Sequence, residues 1–347
     1  MRVPLQSRIN SFLLAACLAV LGSFGAAAGN NPEQVSLLFG GDMMLDRGVR
    51  MRIRHIGVEK IFEQVSPIFR QSDYVLVNLE SAASKRIFKS GNSLSFCSDP
   101  AWFRSLRDVH ITHLNLANNH AMDQGTVGLE STVDSLQRDG LGIIGCGRKG
   151  VDECEPSIIQ TGKFRFAIFG CVQIPLEGSK PAGKQYAPCQ ASGDELCRMI
   201  RAHKARYPDD IVIVTLHWGL EYHGKPTDRQ RQEARRLIDS GAAAVIGHHP
   251  HVIQPMEFYK NAPIIYSLGN LVFDQHDAPT KKMIMVQLIV DSGRIDSVRV
   301  YPLVSKQNVP CWATRSDGVS PVVEGGDSGN FFRVLYRKEE IADTLRH

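Results

Sequence analysis

The sequence has no run of five or more Lys and Arg residues, and its formal charge is only +4. That excludes a phosphate-tracking basic face as an organising feature, and nucleic acid is not an expected partner. None of its eight cysteines forms a Cys-x-x-Cys pair, which argues against a zinc–thiolate site. It contains no internal repeat. It also lacks an apolar stretch long enough for a firm membrane span: Phe12 to Gly25 falls short of the roughly 20 residues that a bilayer core requires. What is present is ordinary globular composition, 43% hydrophobic and 22% charged, so 347 residues suffice for one large α/β domain with a sizeable core.

The N-terminus reads as a secretory signal. Arg2 and Arg8 give a basic start, an apolar stretch follows, and Ala26-Ala27-Ala28 offers a small-residue cleavage site. Leu14-Ala15-Ala16-Cys17 resembles a lipobox, so lipidation of Cys17 and a retained membrane anchor stand as alternatives to cleavage after Ala28. Export to the periplasm or the outer face of the envelope permits disulfides. Cys146 with Cys154, and Cys189 with Cys197, are the local pairs the spacing favours, although spacing does not fix connectivity.

Along the chain, apolar runs alternate with helical patterns. Strands are expected at Val35 to Phe39, Tyr74 to Leu79, Ile111 to Ala117, Leu141 to Ile144, Phe164 to Val172, Ile211 to Leu216, Ala242 to Ile246 and Pro263 to Leu268. Helices are expected at Val58 to Phe69, after Ser98-Asp99-Pro100, from Val127 to a stop at Gly140, and at Asp228 to Ile238. Cys171 to Gly193 reads as a loop. Met283 to Val290 and Arg294 to Val300 flank Asp291-Ser292-Gly293 as a hairpin. The alternation implies an α/β fold with a largely parallel sheet, and the hairpin adds an antiparallel portion or a second sheet. Past Pro302 the periodicity weakens, with a short terminal helix expected at Glu339 to Leu345.

Polar residues collect where these strands end, and that is where parallel α/β sheets place their ligands. Asp42 follows two glycines, and Asp46 and Arg47 follow closely as candidate substrate contacts. Glu80 ends a buried run, where a carboxylate is costly unless paired or metal-bound. Asn78 lies two residues back on the same face. Asn118-Asn119-His120 offers a carbonyl oxygen and an imidazole, with Asp123 placed to orient His120. His217 ends the most hydrophobic strand, and Glu221, Tyr222 and His223 follow it. In extended backbone the i and i+2 side chains share a face, so His249 and His251 would converge on one point while His248 turns away. Each item has an ordinary explanation as a cap, a turn or a core histidine. Independent caps would not all fall at successive strand ends, and the set reads as a divalent-metal site for hydrolytic chemistry.

The ordered motifs Gly41-Asp42, Asn78-Leu79-Glu80, NNHxxDxG, HWGxEY, GHHPHVIQ and YSLGN resemble the CapA family of bacterial capsule and poly-γ-glutamate synthesis proteins, over about Val35 to Gln275. The resemblance implies a layered, metallophosphoesterase-like sheet sandwich flanked by helices. Together with the N-terminal signal, this reading divides the chain into a signal peptide at 1–28, a domain at 29–302 and a C-terminal extension at 303–347. It implies metal ligation by Asp42, Glu80, Asn119, His217, His249 and His251, a catalytic role for His120 with Asp123, and substrate contacts that include Asn78, Glu221 and Asn270. One or two ions of Mn, Zn or Fe are expected. Partners would be an anionic polymer or a phosphorylated envelope precursor, together with capsule-synthesis membrane proteins. The sequence departs from the phosphoesterase pattern at Met44, where a histidine is usual, in having Glu80 rather than Asp, and in having Ala121 directly after His120. The activity implied is a metal-dependent hydrolase or transferase; the alternative is a non-catalytic accessory protein that binds an anionic polymer, and a metal-stabilised envelope scaffold is a minor third reading.

Overall fold

A computed structural model describes residues 34–85, 94–178, 185–324 and 332–335. The expected signal segment and the terminal helix at Glu339 to Leu345 lie outside the described residues.

Among the described residues two large sheets form. The first is built around Val35–Met43, which pairs in parallel with Tyr74–Leu79 and antiparallel with Lys282–Asp291. Tyr74–Leu79 continues in parallel to His113–Asn115 and then Gly142–Ile144, while Lys282–Asp291 continues antiparallel to Arg294–Lys306 and Val309–Trp312. The second has Ile211–His217 and Ala242–His248 at its centre, flanked in parallel by Arg165–Val172 and Ala262–Ile265. The expected hairpin thus extends the first sheet, and its second strand runs on through Pro302 to Lys306.

Residue alternation explains the layering. Along Ile211–His217, Ile211 and Ile213 join an apolar cluster shared by both sheets, together with Leu37, Phe39 and Leu76 from the first. Val212, Val214 and Leu216 face outward, onto the helices Gly193–Arg206 and Asp228–Asp239. Leu38, Val75 and Val77 face outward from the first sheet, beneath Arg47–Ile56, Ser66–Gln71 and Gly125–Arg138. Period-two strands buried on both faces therefore give a helix–sheet–sheet–helix stack. These are the layers that the sequence resemblance implied.

Several local expectations are corrected. Val58 to Phe69 is not one helix but two short ones, Val58–Ile61 and Ser66–Gln71. Pro67 lacks the N–H that a continuous helix would need, and it sits in the first turn of the second piece. The segment after Cys171 contains the short strand Tyr186–Pro188, which pairs with Cys146–Arg148. That pairing brings distant cysteines together: the disulfide is Cys154–Cys189, neither of the local pairs, and Cys146 and Cys197 are free thiols. Arg47–Ile56 was not foreseen because only Val49 and Ile53 carry its buried stripe amid four arginines. Gly193–Arg206 was missed for the same reason, its stripe being Leu196, Cys197 and Ile200.

Candidate metal centre

The C-terminal ends of the central strands from both sheets meet at one point. Asp42 reaches it through a break in register. Gly40 pairs with Val77, but Asp42 pairs with Asn78, so Gly41 is an extra residue. Such a bulge reverses facing and turns Asp42 toward the space between the sheets. Glycine is required at 41 because the carbonyl of Gly269 lies where a Cβ would stand.

Asn78 ties the two sheets together. Its Nδ2 donates to Asp42 Oδ1 at 2.8 Å and lies 3.3 Å from His217 Nδ1. Its Oδ1 accepts from Asn115 Nδ2 at 2.9 Å. His217 Nε2 lies 2.7 Å from Asn119 Oδ1. Glu80 stands in the middle. Its Oε1 is 3.6 Å from His251 Nε2 and 3.9 Å from both His217 Nε2 and His120 Nε2. His251 Nδ1 is 2.9 Å from Asn270 Oδ1 and 3.4 Å from Asp42 Oδ2.

His249 and His251 do converge, with ring centroids 6.1 Å apart, but not by strand alternation. The strand ends at His248, and the two histidines have φ of 96° and 57°, in the left-handed region. The tight turn around Pro250 brings the rings together. Nor does His248 point away: it lies on the same side of its strand as Ala244 and Ile246, and its Nδ1 is 3.4 Å from Asp42 Oδ1. Counting forward in twos from Ala244 would have found it.

His120 occupies a distinct place. Its Nδ1 is 2.8 Å from Asp123 Oδ2, which also accepts the Phe96 backbone N–H at 2.6 Å. The Phe96 ring lies against the imidazole, with centroids 4.2 Å apart. Phe96 carries no polar signal, so sequence reasoning missed it. Arg47 stacks its guanidinium over Phe96 at 4.8 Å and is ion-paired to Asp274. Asp46 is not brought into the cluster: its carboxylate accepts from Arg50 Nε at 2.6 Å and from the Cys97 N–H at 2.8 Å. Glu221 is exposed, yet it offers an oxygen within 4.8 Å of ligand atoms of His249 and His251. Met44, fully buried, gives the cluster nothing; its Sδ lies 3.0 Å from the Asp46 backbone nitrogen.

Burial dominates the electrostatics. It pushes the Glu80 carboxyl well above its ordinary range, with His251 opposing and Asp42 adding to the rise. It also pushes Asp42 up, but hydrogen bonds and charge from His248 and His251 outweigh it and hold Asp42 well below. Burial holds His217 well down, and takes His249 down to about 4 with help from His251. His251 rises to about 9, because Glu80 and Asp42 overcome its burial.

The donor set fits a divalent cation. Both Glu80 oxygens and His249 Nδ1 are buried without a hydrogen-bond partner. Leaving such groups unsatisfied costs on the order of 1–3 kcal/mol each, more for a charge, and a coordinated cation removes that cost. Asp42, Glu80 and His217 have ligand atoms within 4.8 Å of one another, and the mixed oxygen and imidazole donors suit first-row transition metals.

Fold and site together define a layered α/β protein with a candidate cation centre between two sheets. The family model described as bacterial capsule synthesis protein PGA_cap matches residues 36–275, and the chain belongs to that family. The PGA biosynthesis protein CapA of Bacillus subtilis (strain 168) is 34% identical over 281 residues, covering 80% of this chain and 73% of the relative. The capsule biosynthesis protein CapA of Bacillus anthracis is 30% identical over 311 residues, covering 87% and 73%. A probable polyglutamine synthesis accessory protein of Mycobacterium tuberculosis is 27% identical over 326 residues, covering 79% and 85%. Among solved structures, a hypothetical protein from Thermus thermophilus superposes with a TM-score of 0.53 at 16% identity, covering 78% of this chain and 100% of that one, a likeness of fold alone.

Proposed function

We propose that this chain is an exported, metal-dependent hydrolase or transferase that acts on an anionic envelope polymer, or on its phosphorylated precursor, during capsule or poly-γ-glutamate synthesis. One observation carries the reading: His120, braced by Asp123, directs Nε2 toward Glu80 at 3.9 Å, at the edge of the ligand cluster. A site that only gripped a polymer would have no use for a carboxylate-braced imidazole there. Asp42, Glu80, Asn119, His217, His249 and His251 would hold the metal, as one ion or two. When bound, it supplies Lewis-acid polarisation of the scissile group and a lowered water pKa. His120 serves the reacting group by holding a proton at Nε2 and giving it to the leaving atom. Phe96 screens that imidazole from water on one side. Asn270 fixes His251, and Asn78 fixes both Asp42 and His217. Arg47, at the rim, orients an anionic substrate.

The accessory reading keeps one specific support, the burial of Met44 where a ligand is usual. The test is turnover by metal-loaded protein on poly-γ-glutamate and on a phosphomonoester and phosphodiester panel, beside polymer binding. Turnover lost on chelation and restored by Mn, Zn or Fe supports the enzyme. Tight polymer binding with no turnover on any substrate would reduce the protein to an accessory.

A further inference from the structure

We infer that Glu221, His249 and His251 form a second divalent-cation position beside the one offered by Asp42, Glu80 and His217, with Glu221 as its defining ligand. This rests on the metal reading above and assigns Glu221 to the cation rather than to substrate. The three residues present ligand atoms that all lie within 4.8 Å of one another. Two imidazoles and one carboxylate complement the other trio of two carboxylates and one imidazole, so neither set is purely acidic.

The loop that carries Glu221 is fastened to the histidine turn. The Tyr222 N–H donates to the Pro250 carbonyl at 2.8 Å, between the two histidines. Gln254 Nε2 donates to the His223 carbonyl at 2.8 Å, and Gln275 Nε2 donates to the Tyr222 hydroxyl at 3.2 Å. Tyr222 accepts a φ of 62° to make this fit, a conformation that bulky residues adopt at a cost. His249 is only 6% exposed, and its Nδ1 has no hydrogen-bond partner. Among the described residues the Glu221 carboxylate has no hydrogen bond or ion pair either. A fixed loop that holds an unengaged carboxylate against an unsatisfied buried imidazole is a built site.

The two positions differ in access. Asp42, Glu80 and His217 are each 0% exposed, whereas Glu221 is exposed. The inner position is sealed from solvent and the outer position opens to it, so an ion at the outer position would exchange more readily. The outer position offers one carboxylate against two at the inner position, so it should be the weaker site and the more sensitive to metal supply.

The experiment titrates the chelator-stripped full chain with Mn(II) alone, following free Mn(II) by its EPR signal and bound metal by elemental analysis. Two classes of site are expected in the wild type. Glu221→Gln should abolish the weaker class and leave the tighter one within about threefold, and Glu221→Asp should restore part of it. Asp42→Asn should remove the tighter class. Two equivalents retained by Glu221→Gln with both affinities unchanged would overturn the assignment while leaving the inner centre intact. A single wild-type equivalent that is indifferent to Glu221 would do the same. No binding by the wild type would overturn both this inference and the metal-dependent function on which it rests.

Discussion

Asp123 Oδ2 stands 2.8 Å from His120 Nδ1, and the same oxygen accepts the backbone N–H of Phe96. The carboxylate therefore fixes the ring plane and keeps a proton on Nδ1, leaving Nε2 to face Glu80. His120→Ala should leave bound metal nearly unchanged while turnover falls by roughly 10²–10⁴, the scale of losing a proton-transfer group. His249→Ala should lose metal and turnover together. Metal content and rate measured side by side decide this, and equal metal loss in both variants would make His120 a ligand.

Glu80 sets function against stability. It is fully buried and both of its oxygens lack partners. Without added metal, Glu80→Met, which removes both unpartnered oxygens at similar volume, should be more stable than the wild type by about 1–3 kcal/mol, the cost of an unsatisfied buried group. With metal at about 1,000 times the Kd of the inner position the order should reverse, because the wild type gains about 4.1 kcal/mol from that position and the variant does not. Chemical denaturation with chelator and with Mn(II) checks the crossing. A variant that stays the more stable under both conditions would show that Glu80 is not a ligand.

Cys154 and Cys189 close a loop of 35 residues. The chain-entropy estimate for such a loop is about 3–4 kcal/mol, so Cys154→Ser should lose stability of that order. Non-reducing peptide mapping should recover the 154–189 pair and neither of the local pairs. Recovery of a Cys146–Cys154 peptide would mean that the strand pairing of Tyr186–Pro188 with Cys146–Arg148 does not form.

A disulfide of this kind belongs in an oxidising compartment. If the chain is exported as its N-terminus suggests, N-terminal sequencing of protein recovered outside the cytoplasm should find a mature start near Gly29. A lipid on Cys17 would instead identify Leu14-Ala15-Ala16-Cys17 as the operative signal.

Acid stability should depend on His113. Burial holds its imidazole down to about 4 in the fold, against 6.5 for an ordinary histidine. Above that ordinary value the ring is neutral in both states and contributes no slope. Between the two values the unfolded chain takes the proton first, so stability falls as pH falls, by about 3 kcal/mol in total. His113→Gln should flatten that part of the curve, as read from urea midpoints across the range. An unaltered slope would place the titration elsewhere.

Much of this was legible in the chain. Tyr74–Leu79 forms over the span its β-branched run indicated, because a strand buried on both faces leaves a continuous apolar signature. Ser98-Asp99-Pro100 opened a helical turn as read, with Asp99 Oδ1 accepting the Ala101 N–H at 3.0 Å. The meeting of Asp42, Glu80 and His217 followed from strand ends alone, whereas His249 and His251 reach the same point through a turn rather than the extended backbone expected of them. What did not follow was conformation that depends on partners. The left-handed φ of His249 and His251 is imposed by the turn at Pro250, and no local pattern encodes it. The cysteine pairing depended on a strand register between segments distant in the chain, Cys146 opposite Pro188. Phe96 was passed over because a ring against an imidazole leaves no sequence signal, and His248 was placed facing away although alternation from Ala244 and Ile246 puts it on the inner face.

The six candidate ligands read from the sequence divide evenly across the molecule. Asp42, Glu80 and Asn119 are carried by the first sheet, and His217, His249 and His251 by the second. A cation held by both halves would then be a rivet as well as a reagent. Loss of the ion should loosen the sheet-to-sheet seam, and protection from hydrogen exchange should fall at Phe39 and Ile213 together, although both lie inside the hydrophobic core. A protein fastened this way matures where its metal is, which ties completion of its fold to the compartment in which it would work.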